Sequence, residues 1–113
     1  MGHLKEMAQN VTMEIFGSSV PLLDGSMEYA KMGLICGGSY KNRNFLKPFV
    51  SGDGIDEDLA MIFFDEQTSG GLVFSVSEKD ASAVVKELVD VGYEDAAIIG
   101  GCVKKEDKTV KVV

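Results

Sequence analysis

The chain is poor in the residues that metal sites and disulfide frameworks require. It has one histidine and two cysteines among 113 residues. Zinc needs a full set of Cys, His or acidic ligands, so His3 alone cannot build a site. Its place in a helical stretch suits a polar surface or a domain contact. Cys36 and Cys102 have neither the spacing of a metal pair nor the number of a disulfide framework. Two reduced thiols of a cytoplasmic protein are expected. Cys36 adjoins Gly37-Gly38, but no His or Lys cluster stands beside it to activate the thiol. No apolar run approaches the ~18 residues of a membrane span. The N-terminus lacks the basic-then-apolar pattern of a secretory signal. Basic charge is also short. The net charge of -7 and pI near 4.6 argue against nucleic acid, whose phosphates need a basic face. There is no P-loop, no dinucleotide fingerprint and no G-x-S-x-G elbow. Gly52 and Gly54 form a G-x-G that carries acid, which repels phosphate, so it reads as a turn. No internal repeat, low-complexity tract or linker is present.

What the chain does have is apolar content, 45% of its residues. That is enough for one domain with a core of its own. The stretch from His3 to Asn10 reads as a helix with Leu4, Met7, Ala8 and Val11 on one face. That face is expected to stay exposed as a contact surface. Thr12 to Phe16 alternates as a strand, and Ser18 to Pro21 as a turn. Asp24 or Ser26 would cap a short helix ending at Gly33. From Leu34 to Pro48 the apolar periodicity fails, and a long ordered loop is expected. Phe49 to Ser51 reads as a brief strand, and Gly52 to Gly54 as a turn. Ile55, Leu59, Ile62 and Phe63 mark another helix, capped by Asp53 or Asp56. A strand is expected over Leu72–Val76. A helix follows, opened by a capping box at Ser77 and Asp80 and stopped at Gly92. Ala96–Val103 reads as a strand buried on both faces, and Thr109–Val113 as its hairpin partner.

The order is helix, strand, helix, loop, helix, strand, helix, strand, strand. Crossovers together with a hairpin point to an α+β fold with a mixed β-sheet and helices packed on it. Leu72–Val76, the helix after it and Ala96–Val103 would form a parallel, right-handed βαβ unit.

The candidate site is the run Asp65-Glu66-Gln67-Thr68-Ser69-Gly70-Gly71-Leu72. Gly70 and Gly71 permit a sharp turn or a close approach. Gln67, Thr68 and Ser69 add side-chain donors and acceptors. Such a loop either cradles an anion on successive amides or makes an ordinary tight turn. Lys41, Arg43 and Lys47 fall together nearby and could meet a phosphate or an acidic partner. Each one alone is better read as a solvated charge. Asp56-Glu57-Asp58 offers oxygen ligands for magnesium. Consecutive helical residues face different ways, so this run reads as a helix-starting charge cluster.

The Asp65–Leu72 run resembles the D-P-Q-T-S-G-G-L signature of selenophosphate synthetases (selenide, water dikinases), with Glu66 where that signature has Pro. Three further stretches resemble the same family in order. Gly2-His3-Leu4-Lys5-Glu6-Met7-Ala8 is similar to the end of its T-G-F-G-L-L-G-H-L-x-E-M-A motif. Gly37-Gly38-Ser39-Tyr40-Lys41-Asn42-Arg43-Asn44-Phe45 is similar to its G-G-S/T-x-x-N-R segment. Ile98-Ile99-Gly100-Gly101-Cys102-Val103 is similar to its closing I-G-x-V strand.

The resemblance covers residues 1–113 as a single domain, the family's C-terminal one. That domain is shared with aminoimidazole ribonucleotide synthetase relatives. It implies a mixed sheet with helices packed on it, partly ferredoxin-like. It also implies a part in converting selenide, ATP and water to selenophosphate, AMP and phosphate. The family's catalytic Cys or selenocysteine, its Lys and its magnesium-binding aspartates belong to segments before Gly2. The N-terminal ATP-binding domain is therefore expected to be absent, and the chain to be inactive alone. No catalytic residue and no metal ligand is carried over. ATP and Mg2+ are expected only in the full enzyme. Gln67, Thr68, Ser69, Gly70, Gly71 and Asn42 are the candidates for lining the substrate cleft or contacting the other domain. The expected partners are the N-terminal domain, in cis or trans, and further copies of the chain in a homo-oligomer. The alternative is a free-standing module that binds a small ligand or anion without catalysis.

Overall fold

Val11–Ile15, with Val, Thr and Ile among its five residues, buries Thr12, Met13 and Ile15 and forms an interior strand of the sheet. The computed structural model describes residues 1–52 and 54–113. Its elements are α1 (Gly2–Met7), β1 (Val11–Ile15), a 3-10 turn (Gly17–Ser19), α2 (Ser26–Lys31) and α3 (Gly37–Leu46). β2 (Val50–Ser51), α4 (Glu57–Phe63), α5 (Glu78–Asp90), β3 (Gly100–Lys104) and β4 (Val110–Val112) complete it. The strands lie in the order β2-β4-β1-β3. β4 is parallel to both β1 and β2, and β3 is antiparallel to β1. The fold is α+β with a mixed sheet, as the pattern of elements implies.

The register places Met13 opposite Val110 and Ile15 opposite Val112, with Val50 opposite Val110 on the far side. These side chains form the sheet's contribution to the core. Leu4 and Ala8 from the α1 end, Leu46 from α3 and Phe63 from α4 pack onto them. Full burial of side chains of this size contributes about 1.5–3 kcal/mol each, which holds three short helices on one sheet. The face of α1 is therefore not free. Leu4 and Ala8 are core residues, Val11 is half-buried, and only Met7 remains exposed. The α1 face expected to serve as a contact surface is occupied by the chain's own sheet.

The expected hairpin between β3 and β4 is not formed, because β1 lies between them. The connecting loop passes over the start of β1 and is pinned there by Thr12, which is fully buried. Its hydroxyl donates to the Lys108 carbonyl (2.6 Å) and accepts from the Glu106 amide (2.9 Å). Lys105 adds bonds to the Val11 carbonyl (3.3 Å) and the Thr109 hydroxyl (3.3 Å).

Four further expectations are corrected. Leu34–Pro48 is not a loop, since α3 fills most of it. Leu72–Val76 lies outside the sheet, and its side chains are exposed. The strand expected over Ala96–Val103 is shorter and shifted, and it is an edge strand without a buried face. With neither strand placed as expected, the parallel βαβ unit is not built. Caps differ as well. α2 starts after Gly25 in a left-handed conformation (φ 83°), not from an Asp24 or Ser26 side chain. Ser77 begins α5 by accepting the Asp80 amide on its backbone carbonyl (2.9 Å), without a side-chain cap. Asp56 caps α4 through Oδ1 to the amides of Asp58 and Leu59. Its rival Asp53, and with it the turn over Gly52–Gly54, lies outside the described residues.

Candidate functional site

The Gln67–Gly71 loop leaves the C-terminal end of α4, and α3 holds it there. The side-chain contacts of α3 with α4 and the core come from Ser39, Asn42, Arg43 and Leu46, which share one helical face. Ser39 is fully buried and donates to Asp65 Oδ1 (3.0 Å). Asn42 donates to the Phe64 carbonyl (2.9 Å), which α4 leaves without a helical partner. Arg43 forms a two-pronged pair with Glu57 at the start of α4, with Nη2 to Oε2 at 3.0 Å, and its Nη1 also reaches Met61 Sδ (3.4 Å). The helix thus grips both ends of α4.

This face was missed from sequence because it is polar. Positions 39, 42, 43 and 46 have helical spacing, yet only Leu46 is apolar. A search for apolar periodicity finds nothing there, whereas a search for hydrogen-bonding side chains at the same spacing would have found α3.

The sequence candidates fall into two groups. Asn42 is half-buried and bonded beneath the loop. Gln67, Thr68, Ser69, Gly70 and Gly71 are exposed on it. The loop is closed by its own backbone. The Gln67 amide donates to the Asp65 carbonyl (3.1 Å), Thr68 to Glu66 (3.0 Å) and Gly70 to Gln67 (3.3 Å). Gln67 Nε2 also reaches the Ile62 carbonyl (3.4 Å). Three of the loop's amides are therefore turned inward and used, so this is a tight turn and not a cradle of free amides. Ser69 sits at φ 57°, an uncommon conformation for a residue with a Cβ. The hydroxyl of Thr68 and the side chain of Ser69 project from this turn into solvent.

Charge around the loop is negative. Asp65 and Glu66 both face the first turn of α3, where Glu66 Oε2 lies 3.7 Å from Cys36 Sγ. Carboxylates complement the positive end of a helix dipole. The Arg43 guanidinium hydrogen-bonds Glu57 and holds its carboxyl below the ordinary value, and Glu57 in turn raises Arg43. Of the three basic residues grouped in sequence, Arg43 is engaged with Glu57, while Lys41 and Lys47 are exposed away from the inward face. In the acidic run, Asp56 is the α4 cap and Glu57 is paired with Arg43. Among the described residues, no three His, Cys, Asp or Glu side chains converge on a common point. His3 is exposed and pairs with Glu6 one turn on. Among the described residues, no helix is long and apolar enough to cross a membrane.

Comparison with known proteins gives a consistent result. The model of "AIR synthase related protein, C-terminal domain" matches residues 1–113. A selenide, water dikinase from Campylobacter jejuni subsp. jejuni serotype O:2 is 45% identical over 97% of this chain and 32% of its own length. "Selenide, water dikinase 2" from Peptoclostridium acidaminophilum is 37% identical over 100% of the chain and 33% of its own. The enzyme of Clostridioides difficile is 40% identical over the same shares. The chain thus spans about a third of the length of these relatives.

Proposed function

This chain belongs to the AIR synthase related protein family, as its C-terminal domain, and on that premise we propose that it serves as the C-terminal domain of a selenide, water dikinase. The observation that carries the reading is similarity along the whole chain to enzymes of that name, of which it spans only a third. Its role is to wall the active-site cleft and to pack on the N-terminal domain. Gln67, Thr68 and Ser69 line that wall, and Asn42 positions them from below through the Phe64 carbonyl. Their contribution to turnover is positioning, through hydrogen bonds of about 1 kcal/mol each.

The residues of this chain do not suit ATP or magnesium. Phosphoryl transfer needs metal ligands and cations around the leaving phosphates. Here the nearest acids are engaged with a helix cap and with Arg43, and the loop is flanked by carboxylates. ATP, Mg2+ and the kinase chemistry belong to the rest of the enzyme, which is cytoplasmic. The same carboxylates, with amides turned inward, argue against a free-standing anion-binding module.

The test assays the purified chain with ATP, Mg2+ and selenide, and separately mixes it with the remaining two-thirds of the C. jejuni enzyme. No AMP above a buffer blank is expected from the chain alone, and co-elution is expected from the mixture. AMP formation by the chain alone, or failure of two folded parts to associate, would overturn the proposal.

A further inference from the structure

Three lysines of this acidic chain are held by neutral partners only. Among the described residues the ion pairs are His3–Glu6, Arg43–Glu57, Lys86–Asp90 and Lys111–Glu106. Lys5, Lys105 and Lys108 belong to none of them. Lys5 stands over the Phe49 ring, 4.7 Å from its centroid. Lys105 reaches the Ala8 carbonyl (3.5 Å), the Val11 carbonyl (3.3 Å) and the Thr109 hydroxyl (3.3 Å). Lys108 donates to the carbonyls of Lys47 (3.0 Å) and Pro48 (3.2 Å). Carbonyls, a hydroxyl and a ring face orient an ammonium without neutralising it. The bonds of Lys105 are also longer than the about 2.7–2.9 Å of an ammonium on an ionised oxygen, so that charge is poorly satisfied.

Lys5 and Lys105 line one open groove of about 450 Å³. The fold builds it from three distant segments. α1 ends at the start of β1, the loop before β4 crosses over β1, and the Phe49 carbonyl accepts the amides of Thr109 (2.9 Å) and Val110 (3.1 Å). Ala8 and Phe49 supply the apolar wall, and Gln9 brings an exposed amide. The Thr109 hydroxyl accepts from Lys105 and keeps its own proton to donate. Glu6 lies on the rim, where its carboxylate is paired with His3 (3.2 Å). The groove lies past the C-terminal end of α3, whereas the carboxylates beside the Gln67–Gly71 loop face the first turn of that helix.

We infer that this groove is a binding site for a phosphate monoester, a small molecule that joins a phosphate group to an apolar body. A phosphate dianion matches two ammonium groups that lack a carboxylate, and its oxygens accept from Lys5, Lys105 and the Thr109 hydroxyl. The groove has the size of small-molecule sites, about 300–1,000 Å³, which is more room than a bare oxyanion fills. Ala8 and Phe49 take up the apolar body. The net charge of -7 does not forbid this. Charges more than about 8 Å away are largely screened at physiological ionic strength, so the lysines at the groove decide its sign. Lys108, on the far side of the Phe49 backbone, adds to the same local field. The site binds and does not catalyse, and it stands apart from the chain's proposed enzymatic role.

The experiment titrates the full chain with phenyl phosphate, and separately with inorganic phosphate, while amide shifts are followed by NMR. Saturable shifts are expected at residues 5–9, 49 and 105–109, with phenyl phosphate bound more tightly than inorganic phosphate. Lys5→Gln and Lys105→Gln should each weaken binding about tenfold, the loss of one charge-assisted contact. Lys86→Gln, which removes a distant paired charge, should leave it unchanged. Lys105 also ties backbone carbonyls, so its variant risks misfolding; Lys5 meets only a ring face, and its variant then decides. No saturation by about 10 mM phenyl phosphate would overturn the site, and so would an equal loss in Lys86→Gln. Inorganic phosphate bound as tightly as phenyl phosphate would overturn its assignment to an ester.

Discussion

The carboxylate of Glu66 occupies the space in which Gly38 would carry a side chain, with Oε1 1.9 Å from the ideal Cβ position. A carboxylate thus sits directly on the first turn of α3, and a Cβ at position 38 would require it to move. Glu66 stands where the resembling signature has Pro, so the contact depends on a departure from that signature.

Gly38→Ala should therefore push Glu66 off α3 and loosen the loop from its support. The displaced group is a flexible side chain, so the cost is modest, about 1 kcal/mol for a lost helix-end contact of this kind. Urea denaturation should show that drop, and hydrogen exchange should show faster amides at Gln67 and Thr68. Unchanged exchange there would mean that Glu66 does not hold the loop.

Thr12→Val keeps the volume and removes the hydroxyl that ties the β3–β4 loop over β1. The Lys108 carbonyl and the Glu106 amide both lose their bond to it. Losing hydrogen bonds that are only partly buried costs about 0.5–1.5 kcal/mol each. Chemical denaturation of the two forms measures it, and a change below 0.5 kcal/mol or so would assign the loop's path to other contacts.

The Arg43–Glu57 pair gives a signed dependence on pH. Hydrogen bonding to Arg43 lowers the Glu57 carboxyl below its ordinary 4.5, while Arg43 stays charged throughout. The pair therefore supports the α3–α4 junction above the ordinary carboxylate range and is lost as pH falls through the lowered value. Glu57→Gln should have a lower urea midpoint than the parent at neutral pH, and the gap should narrow below pH 4.5. A gap that stays constant down to acid would show the pair to be energetically silent, as many exposed pairs are.

How much was legible in the sequence depended on whether apolar side chains or polar ones do the packing. β1, α4 and α5 were readable because Met13 with Ile15, Leu59 with Phe63, and Val84 with Leu88 repeat at strand or helix spacing. α3 was not, because Ser39, Asn42 and Arg43 pack it by hydrogen bonds. Leu72–Val76 has a strand's composition yet forms no strand, and of residues 96–103 only the part from Gly100 enters the sheet, because periodicity does not say which segments pair. β4 chose β1 over β3 because Val110 and Val112 meet Met13 and Ile15 in the core. For the candidate site, the loop and Asn42 were found by their resemblance to a signature. Their linkage through the Phe64 carbonyl, and the two carboxylates on α3, emerge only from the fold.

Gln67→Ala combined with Thr68→Ala should lower turnover of a complete enzyme by tenfold or so, the loss of one or two hydrogen bonds of about 1 kcal/mol each. Assembly and urea stability should not change, since both side chains are exposed. Steady-state kinetics beside size-exclusion profiles provide the check. Full turnover with normal assembly would reduce the motif to a turn.

The central claim is tested most directly by a chimera in which this chain replaces the matching C-terminal third of the C. jejuni selenide, water dikinase. The quantity to measure is selenide-dependent AMP formation. A turnover within about tenfold of the parent enzyme, ~1.4 kcal/mol of barrier, is the predicted result. A chimera that is folded and assembled yet forms AMP no faster than a buffer blank would contradict the account.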